Sequence, residues 1–319
     1  MHIVITGGFG FIGSKATRRF LDDGHKVTLL DNMTSHVTNT IPGANILPAD
    51  LLDSNTLNVL EISPCDCFLH MGGISSGPAS INDPVGTVSK GYAMTYNALS
   101  LAERIKTRRF LFTSSMTVYG EINPEDCPVS ENTPCQPISH YGIGKFANER
   151  LVEIFCRRKG IGFNNLRLFN VYGPGQDLAR RDQGLVSIFL ALLMKNPKVV
   201  SRGDLKRFRD IVYIDDVVNA LCLCIDESLI SGPFNIGCGQ SITIGELILE
   251  LAEALGIRSD LEVEVAEGIP GDIYGICADI SAFREATGYT PRYFPSEGIQ
   301  KFTDWAINSK PTSQISPPS

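Results

Sequence analysis

Short apolar runs without polar alternation, separated by amphipathic stretches, fill the first half of the chain. His2–Thr6, Lys26–Leu30, Asn45–Pro48, Cys67–Met71, Arg109–Thr113 and Gly162–Leu168 read as strands. Phe11–Asp23, Ser54–Ile62, Val85–Thr107 and Tyr141–Lys159 read as the helices between them. A strand that is apolar on both sides needs a cover on both sides, which a parallel sheet with helices above and below provides. Right-handed crossovers then wind the sheet outward in two directions. The predicted fold class is α/β: a doubly wound parallel sheet with a smaller mixed α/β lobe.

The rhythm breaks after Asn170. Pro174, Gly175 and the polar stretch Gln176–Gln183 predict a loop, Leu185–Lys195 a helix, then a short strand and a loop over Ser201–Phe208. Asp215–Asp226 reads as a helix returning to the sheet and Pro233–Ile236 as a strand after it. Thr243–Leu255, Ser281–Thr287 and Ser296–Ile307 read as helices of the second lobe. The expected division is 1–172 for the large domain, with 209–236 returning to it, and 173–208 with 237–307 for the lobe. The Ser/Pro-rich tail, 308–319, has the composition of a disordered segment.

Composition narrows the function classes. The 319 residues carry 28 Lys+Arg against 35 Asp+Glu, a formal charge of −7. An acidic protein is not drawn to nucleic acid or to an anionic membrane surface, so neither is expected as the main partner. The longest apolar segment, Leu185–Met194, is half of what a bilayer span needs. The start of the chain has no basic leader followed by a cleavage site, so a cytoplasmic location is expected. The nine cysteines include no C-x-x-C pair and none has a histidine at zinc spacing. They read as reduced, mostly buried thiols, and no metal is expected.

The first strand runs straight into Gly7-Gly8-Phe9-Gly10-Phe11-Ile12-Gly13 and then a helix. Glycines at this spacing permit a tight turn and bring backbone N–H groups at a helix start against a pyrophosphate. The second strand ends at Asp31, about 20 residues further on, where a carboxylate accepts hydrogen bonds from adenosine ribose hydroxyls. It would repel a 2′-phosphate, and Asn32 and Met33 supply no cation, so NAD is preferred to NADP. Asp50-Leu51 follows the third strand, within reach of the adenine.

The fifth strand ends Thr113-Ser114-Ser115-Met116-Thr117-Val118-Tyr119-Gly120, and a later helix begins Tyr141-Gly142-Ile143-Gly144-Lys145. Tyr141 and Lys145 are four apart and share a helix face. A nearby ammonium and a cationic nicotinamide both favour phenolate, bringing a tyrosine towards use as a base.

With these motifs the chain resembles the extended short-chain dehydrogenases/reductases, in the NAD-dependent sugar epimerase/dehydratase family. The likeness extends to about residue 305 and rests also on His70-Met71-Gly72-Gly73, on Arg167 to Pro174, on Arg209 to Val217, and on Gly271-Asp272 with Ala278-Asp279. It implies a Rossmann sheet, tightly bound NAD, a nucleotide-diphosphate sugar as substrate, and a homodimer formed through Val85–Thr107 and Tyr141–Lys159. It implies Tyr141 as base, Lys145 as the residue that lowers its pKa and holds the nicotinamide ribose, and Ser115 as the hydroxyl on the reacting oxygen. Cofactor contacts would come from Gly7, Gly10, Phe11, Ile12, Gly13, Asp31, Asn32, Asp50, Leu51, Met71, Gly72, Gly73, Ser114, Tyr141, Lys145 and Phe169. Asn170 and Arg209 would bind the diphosphate, Gly184, Leu185 and Val186 would approach the nucleotide base, and Arg202 and Asp272 complete the expected substrate contacts with Ser115.

Family dehydratases resemble T-D-E-V-Y and decarboxylases also carry a Glu before V-Y, whereas here Met116 and Thr117 stand there. The pattern is similar to that of the sugar 4-epimerases, with UDP-glucose, UDP-N-acetylglucosamine or UDP-glucuronate as candidate substrates. A reductase of a keto sugar and another isomerisation or dehydration remain open alternatives. The chain departs from the family pattern in several places. The Arg before Gly-Asp is missing, for which Arg180, Arg181 or Arg202 are candidate replacements. The Asn of N-V-x-G-T is Gly91, and the Pro before the catalytic Tyr is His140.

Overall fold

The computed structural model describes residues 1–34, 40–74, 77–180, 182, 184–268 and 272–309. Arg181, Gly271 and the tail from residue 310 lie outside the described residues. In chain order the first half holds β1 (His2–Thr6), α1 (Phe11–Asp22), β2 (Lys26–Asp31), β3 (Asn45–Pro48), α2 (Ser54–Val59), β4 (Cys67–His70), α3 (Gly77–Asn82), α4 (Pro84–Arg104) and β5 (Arg109–Ser115). Then come α5 (His140–Lys159), β6 (Gly162–Leu168), β7 (Asn170–Tyr172), α6 (Leu185–Leu193), β8 (Lys198–Arg202), β9 (Phe208–Tyr213), α7 (Ile214–Cys224) and β10 (Gly232–Ile236). The last part holds β11 (Ser241–Thr243), α8 (Ile244–Ala254), β12 (Glu262–Ala266), β13 (Gly275–Ile276), α9 (Ser281–Thr287) and α10 (Pro295–Asn308).

Seven strands form one parallel sheet in the order β10-β6-β5-β4-β1-β2-β3. Successive side chains of a strand point to opposite faces, and the core divides accordingly. Ile3 and Ile5 pack on the face covered by Ala16 and Phe20 of α1 and Val217 and Leu221 of α7. Val4, Phe68 and Phe110 pack on the other face against Ala98 and Leu99 of α4 and Val152 and Cys156 of α5. The strand order reverses between β1 and β4, which opens a crevice above their carboxyl ends.

Local signals fix the helix that carries Tyr141. The Ser139 side chain accepts from the Gly142 N–H at 3.1 Å and caps α5. Gly160, at φ 67°, ends it after the basic turn Arg157, Arg158 and Lys159, which suits the negative end of the helix dipole. His140 is exposed at the helix start.

The second half is more strand-rich than its sequence suggests. Within 209–236, β9 joins a small sheet with β7, β11 and β13, while α7 packs on α1 and β10 completes the large sheet beside β6. A two-stranded sheet pairs β8 with β12. The expected loop Ser201–Phe208 begins inside β8 and ends at the start of β9. Strands of two to six residues become strands only through partners distant in sequence, and no periodicity signals them. Among the described residues, no helix is long and apolar enough to cross a membrane. All nine cysteines are free thiols, six of them buried.

Candidate functional site

A cleft of about 720 Å³ runs over the carboxyl ends of the parallel strands. Its first wall is the glycine turn. Gly7 has φ +71°, and a Cβ there would lie 2.8 Å from the Gly72 nitrogen. A Cβ on Gly13 would lie 2.1 Å from the Gly7 carbonyl oxygen, so only glycine lets α1 approach β1 this closely. Gly10 caps α1 without any side-chain hydrogen bond, which leaves the helix start available to an anion. Asp31 is buried at the end of β2, accepting from the Phe9 N–H at 3.1 Å and the Met33 N–H at 2.9 Å. It thereby ties the glycine turn to β2 and faces the cleft. Asp50 accepts from the Leu52 N–H, and the cap of α2 is Asp53 rather than Asp50.

The turn after β4 is held from below. The Thr6 hydroxyl oxygen accepts from the Met71 and Gly72 N–H groups at 3.2 and 3.0 Å. Its partner at 2.8 Å is Nδ1 of His70, whose Nε2 lies 3.2 Å from the Thr95 hydroxyl. Burial, with the Lys145 charge adding, pushes the His70 pKa down to about 3, so the ring is neutral. One consistent set of protons follows: Thr6 donates to Nδ1, Nε2 donates to Thr95, and Thr95 donates to the Gly91 carbonyl at 3.0 Å. The sequence read His70 only as part of a motif. Its burial beneath Gly72 is a tertiary fact.

Ser115, Tyr141 and Lys145 meet where β5 faces the start of α5. Ser115 is the last residue of β5, and Tyr141 and Lys145 line the same cleft. The Ser115 oxygen accepts from the Thr117 N–H at 3.3 Å and from the Thr117 hydroxyl at 3.0 Å. Its own proton is left to donate onward, and the Tyr141 phenol is within its reach. Burial pushes the Tyr141 pKa up to about 12, against the hydrogen bond from Ser115. Burial pulls Lys145 down to about 8, against the charge of Glu149. Lys145 Nζ donates to the Thr113 carbonyl at 2.8 Å and lies 5.7 Å from the centre of the Tyr141 ring. Burial thus favours the neutral phenol of Tyr141.

A buried network fixes this corner. Ser114 donates to Glu149 at 2.5 Å, and Arg167 forms a bidentate pair with Glu149, its shortest contact 2.8 Å. Arg167 also donates to the Tyr119 hydroxyl at 3.0 Å, which in turn donates to Asn235 at 2.6 Å. The chain of bonds locks β5, α5, β6 and β10 together. Sequence reading missed Glu149 and Asn235, and the i+4 spacing of Glu149 after Lys145 was the available signal.

Every expected cofactor residue, from Gly7 to Phe169, lines this one cleft, as do Ser115, Asn170, Gly184, Leu185 and Val186. Arg202, Arg209 and Asp272 are not among its lining residues. Arg202 is exposed on β8. Arg209 is buried and donates to the Phe208, Tyr274 and Ile273 carbonyls and to Asp272 at 2.8 Å. Arg207 reaches the other oxygen of Asp272. The cleft also receives Gln176 and Arg180, the latter paired with Asp182 at 2.6 Å.

A family model described as "NAD dependent epimerase/dehydratase family" matches residues 3–237. The chain belongs to this family. Among solved structures, the UDP-glucose 4-epimerase of Thermotoga maritima with UDP-glucose superposes with a TM-score of 0.90 at 29% identity, covering 96% of this chain and 99% of that one. The UDP-glucose 4-epimerase of Thermus thermophilus complexed with NAD gives 0.87 at 30% identity, covering 97% and 100%. A curated relative, UDP-glucuronic acid decarboxylase 1 of Xenopus tropicalis, is 28% identical over 94% of this chain and 70% of its own length. This family member is therefore an NAD-dependent enzyme. Its cleft has features that fit that cofactor: glycines at 7 and 13 that leave the turn free of side chains, an α1 start without a side-chain cap, and a buried carboxylate, Asp31, facing the cleft at the end of β2.

Proposed function

We propose that the protein interconverts UDP-sugars by inverting C4, through a transient 4-keto sugar. The observation that carries this reading is the choice of carboxylates in the cleft. Among the described residues, those lining it are Asp31, Asp50 and Asp182. The first two lie at the adenosine end, and Asp182 is paired with Arg180. None stands beside Ser115 and Tyr141, where Met116 and Thr117 occupy the positions from which elimination or decarboxylation would need an acid. Of the reactions that need no such acid, epimerisation is the one that regenerates the cofactor within a turnover.

NAD, when bound, supplies a hydride acceptor at C4 and afterwards the donor. Ser115 donates a hydrogen bond to the sugar O4, and Tyr141 takes the O4 proton as the C4–H bond breaks. Tyr141 returns that proton when C4 is reduced on its opposite face, so nothing is consumed. Lys145 holds its charge near the phenolate that forms. The uncapped start of α6, at Gly184 with φ +87°, supplies backbone N–H groups for the nucleotide. Leucine-rich α6 itself packs into the core.

The reading includes a dimer through α4 and α5. Val85, Tyr92 and Tyr96 form an exposed stripe on α4, beside exposed Ile143 and Ile154 on α5. Light scattering of the purified protein at twice the chain mass supports it, and a monomer overturns it.

The deciding experiment is incubation with UDP-glucose, UDP-N-acetylglucosamine and UDP-glucuronate without added cofactor, followed by NMR and mass spectrometry. A new sugar of unchanged mass, with altered couplings at H4, is expected. Conversion only with added NADH or NADPH would make the protein a reductase instead.

A further inference from the structure

Ser115 closes β5 and at the same time begins the short turn Met116–Val118, where its oxygen accepts from the Thr117 N–H at 3.3 Å. The Thr117 hydroxyl donates to the same oxygen at 3.0 Å. A serine hydroxyl has two lone pairs and one proton. Thr117 alone fills both lone pairs, so Ser115 has no acceptor left for a further donor and can only give its proton. The turn that carries Thr117 is fixed on two sides. Its carbonyl seats on α5 at Gly142, next to Tyr141. A Cβ built on Gly142 would come 2.5 Å from that carbonyl oxygen, so any side chain there would push the turn away. Two residues on from Thr117, Tyr119 is buried and held by Arg167 and Asn235. Thr117 is thus fastened to the helix that presents Tyr141 and to the strand that presents Ser115.

We propose that Thr117 is a positioning residue that sets the direction of the hydrogen bond between Ser115 and Tyr141. With both Ser115 lone pairs filled, the Tyr141 phenol cannot donate to Ser115. It accepts from Ser115 instead, and its own proton is left for another acceptor. A hydrogen bond received by the phenol oxygen favours the phenolate, whereas one donated by it favours the phenol. The Thr117 hydroxyl therefore works against the burial that keeps Tyr141 neutral. The proposal deepens the epimerase reading, in which Tyr141 is the base: the side chain at 117 is not an acid, yet it has its own part in that chemistry.

The charges around Tyr141 are independent of Thr117. Lys145, one turn along α5, lies 5.7 Å from the centre of the ring, with Glu149 behind it. From β4 comes neutral His70, and the residues that α4 brings beside Tyr141 and Lys145 are Thr87, Gly91 and Thr95, which do not titrate. The cleft wall further contains Asp31, Asp50, Arg180 and Asp182. Removing the uncharged Thr117 hydroxyl changes none of these. It frees one lone pair on Ser115, to which the phenol can then donate, and so moves the proton loss of Tyr141 to higher pH.

The test compares the NAD-bound wild type with Thr117→Val, which keeps the shape of the side chain and loses the hydroxyl. Tyr141 is titrated by tyrosinate absorbance, with the Tyr141→Phe protein subtracted to remove the other tyrosines. The midpoint in Thr117→Val is expected about one pH unit above that of the wild type, the scale of one hydrogen bond. Thr117→Ser, which keeps the hydroxyl, should titrate as the wild type does. An unmoved midpoint in Thr117→Val, or an equal move in Thr117→Ser, overturns the proposal. Thr117→Ala gives a second variant without the hydroxyl should the valine protein not fold. This arm needs no substrate. A second arm rests on the epimerase reading and uses the UDP-sugar that the wild type interconverts. There kcat should fall about tenfold in Thr117→Val with KM near wild type. In a Ser115→Ala background the same substitution should have no further effect, because Thr117 acts through the Ser115 oxygen. Losses that multiply overturn the proposal. If no UDP-sugar is converted, the epimerase reading fails, and the titration still decides the role of Thr117.

Discussion

Beside Ser115 and Tyr141, at one end of the cleft, Ser114, Glu149, Arg167, Tyr119 and Asn235 close a run of buried hydrogen bonds. At the other end, charges meet in the open: Arg180 and Asp182, which both line the cleft, are each more than a third exposed. The first arrangement depends on no ligand and holds its geometry in advance. The second can exchange a carboxylate for a phosphate with little added desolvation, because water already reaches it. Chemistry needs angstrom-level placement, whereas holding a flexible diphosphate tolerates partners that re-pair.

The sharpest way to break the contrast is to remove the proposed base and nothing else. Tyr141→Phe should lower kcat by about 10³-fold or more, with NAD retention unchanged by absorbance of the purified protein. Substantial turnover would move the base elsewhere. Next, Glu149→Ala strands Arg167 in the interior and should cost about 3–5 kcal/mol in urea unfolding. The double change Glu149→Leu with Arg167→Met should recover much of that. Gly13→Ala forces α1 away from β1, with an expected loss of about 1–3 kcal/mol and weakened NAD retention. The smallest effect is expected at the substrate end. Arg180→Ala should raise KM by about tenfold and leave kcat near wild type, the mark of binding that is the same in ground and transition states.

The same contrast explains what could be read from the sequence. Strand β1, the glycine turn and α1 are contiguous, so the spacing of Gly7, Gly10 and Gly13 already contains the geometry of the pyrophosphate wall. Tyr141 and Lys145 are one helical turn apart, and β5 delivers Ser115 to the same edge by the topology of the sheet. Arg207, Arg209 and Asp272 are different. They meet because β9 pairs with β13, a two-residue strand without pattern. The small sheets hid for the same reason.

Two helices, α1 and α6, begin at the cleft behind glycines that carry no side-chain cap. Whatever they hold is recognised by main-chain groups, which every residue type except proline presents alike. Such a grip depends on the backbone path, which the glycines at 7, 13 and 184 keep open, and not on the identity of the other side chains around it. Substitutions can remodel the sugar-facing surface generation after generation while the cofactor and nucleotide remain in place, leaving the enzyme free to explore new substrates without first losing its old footing.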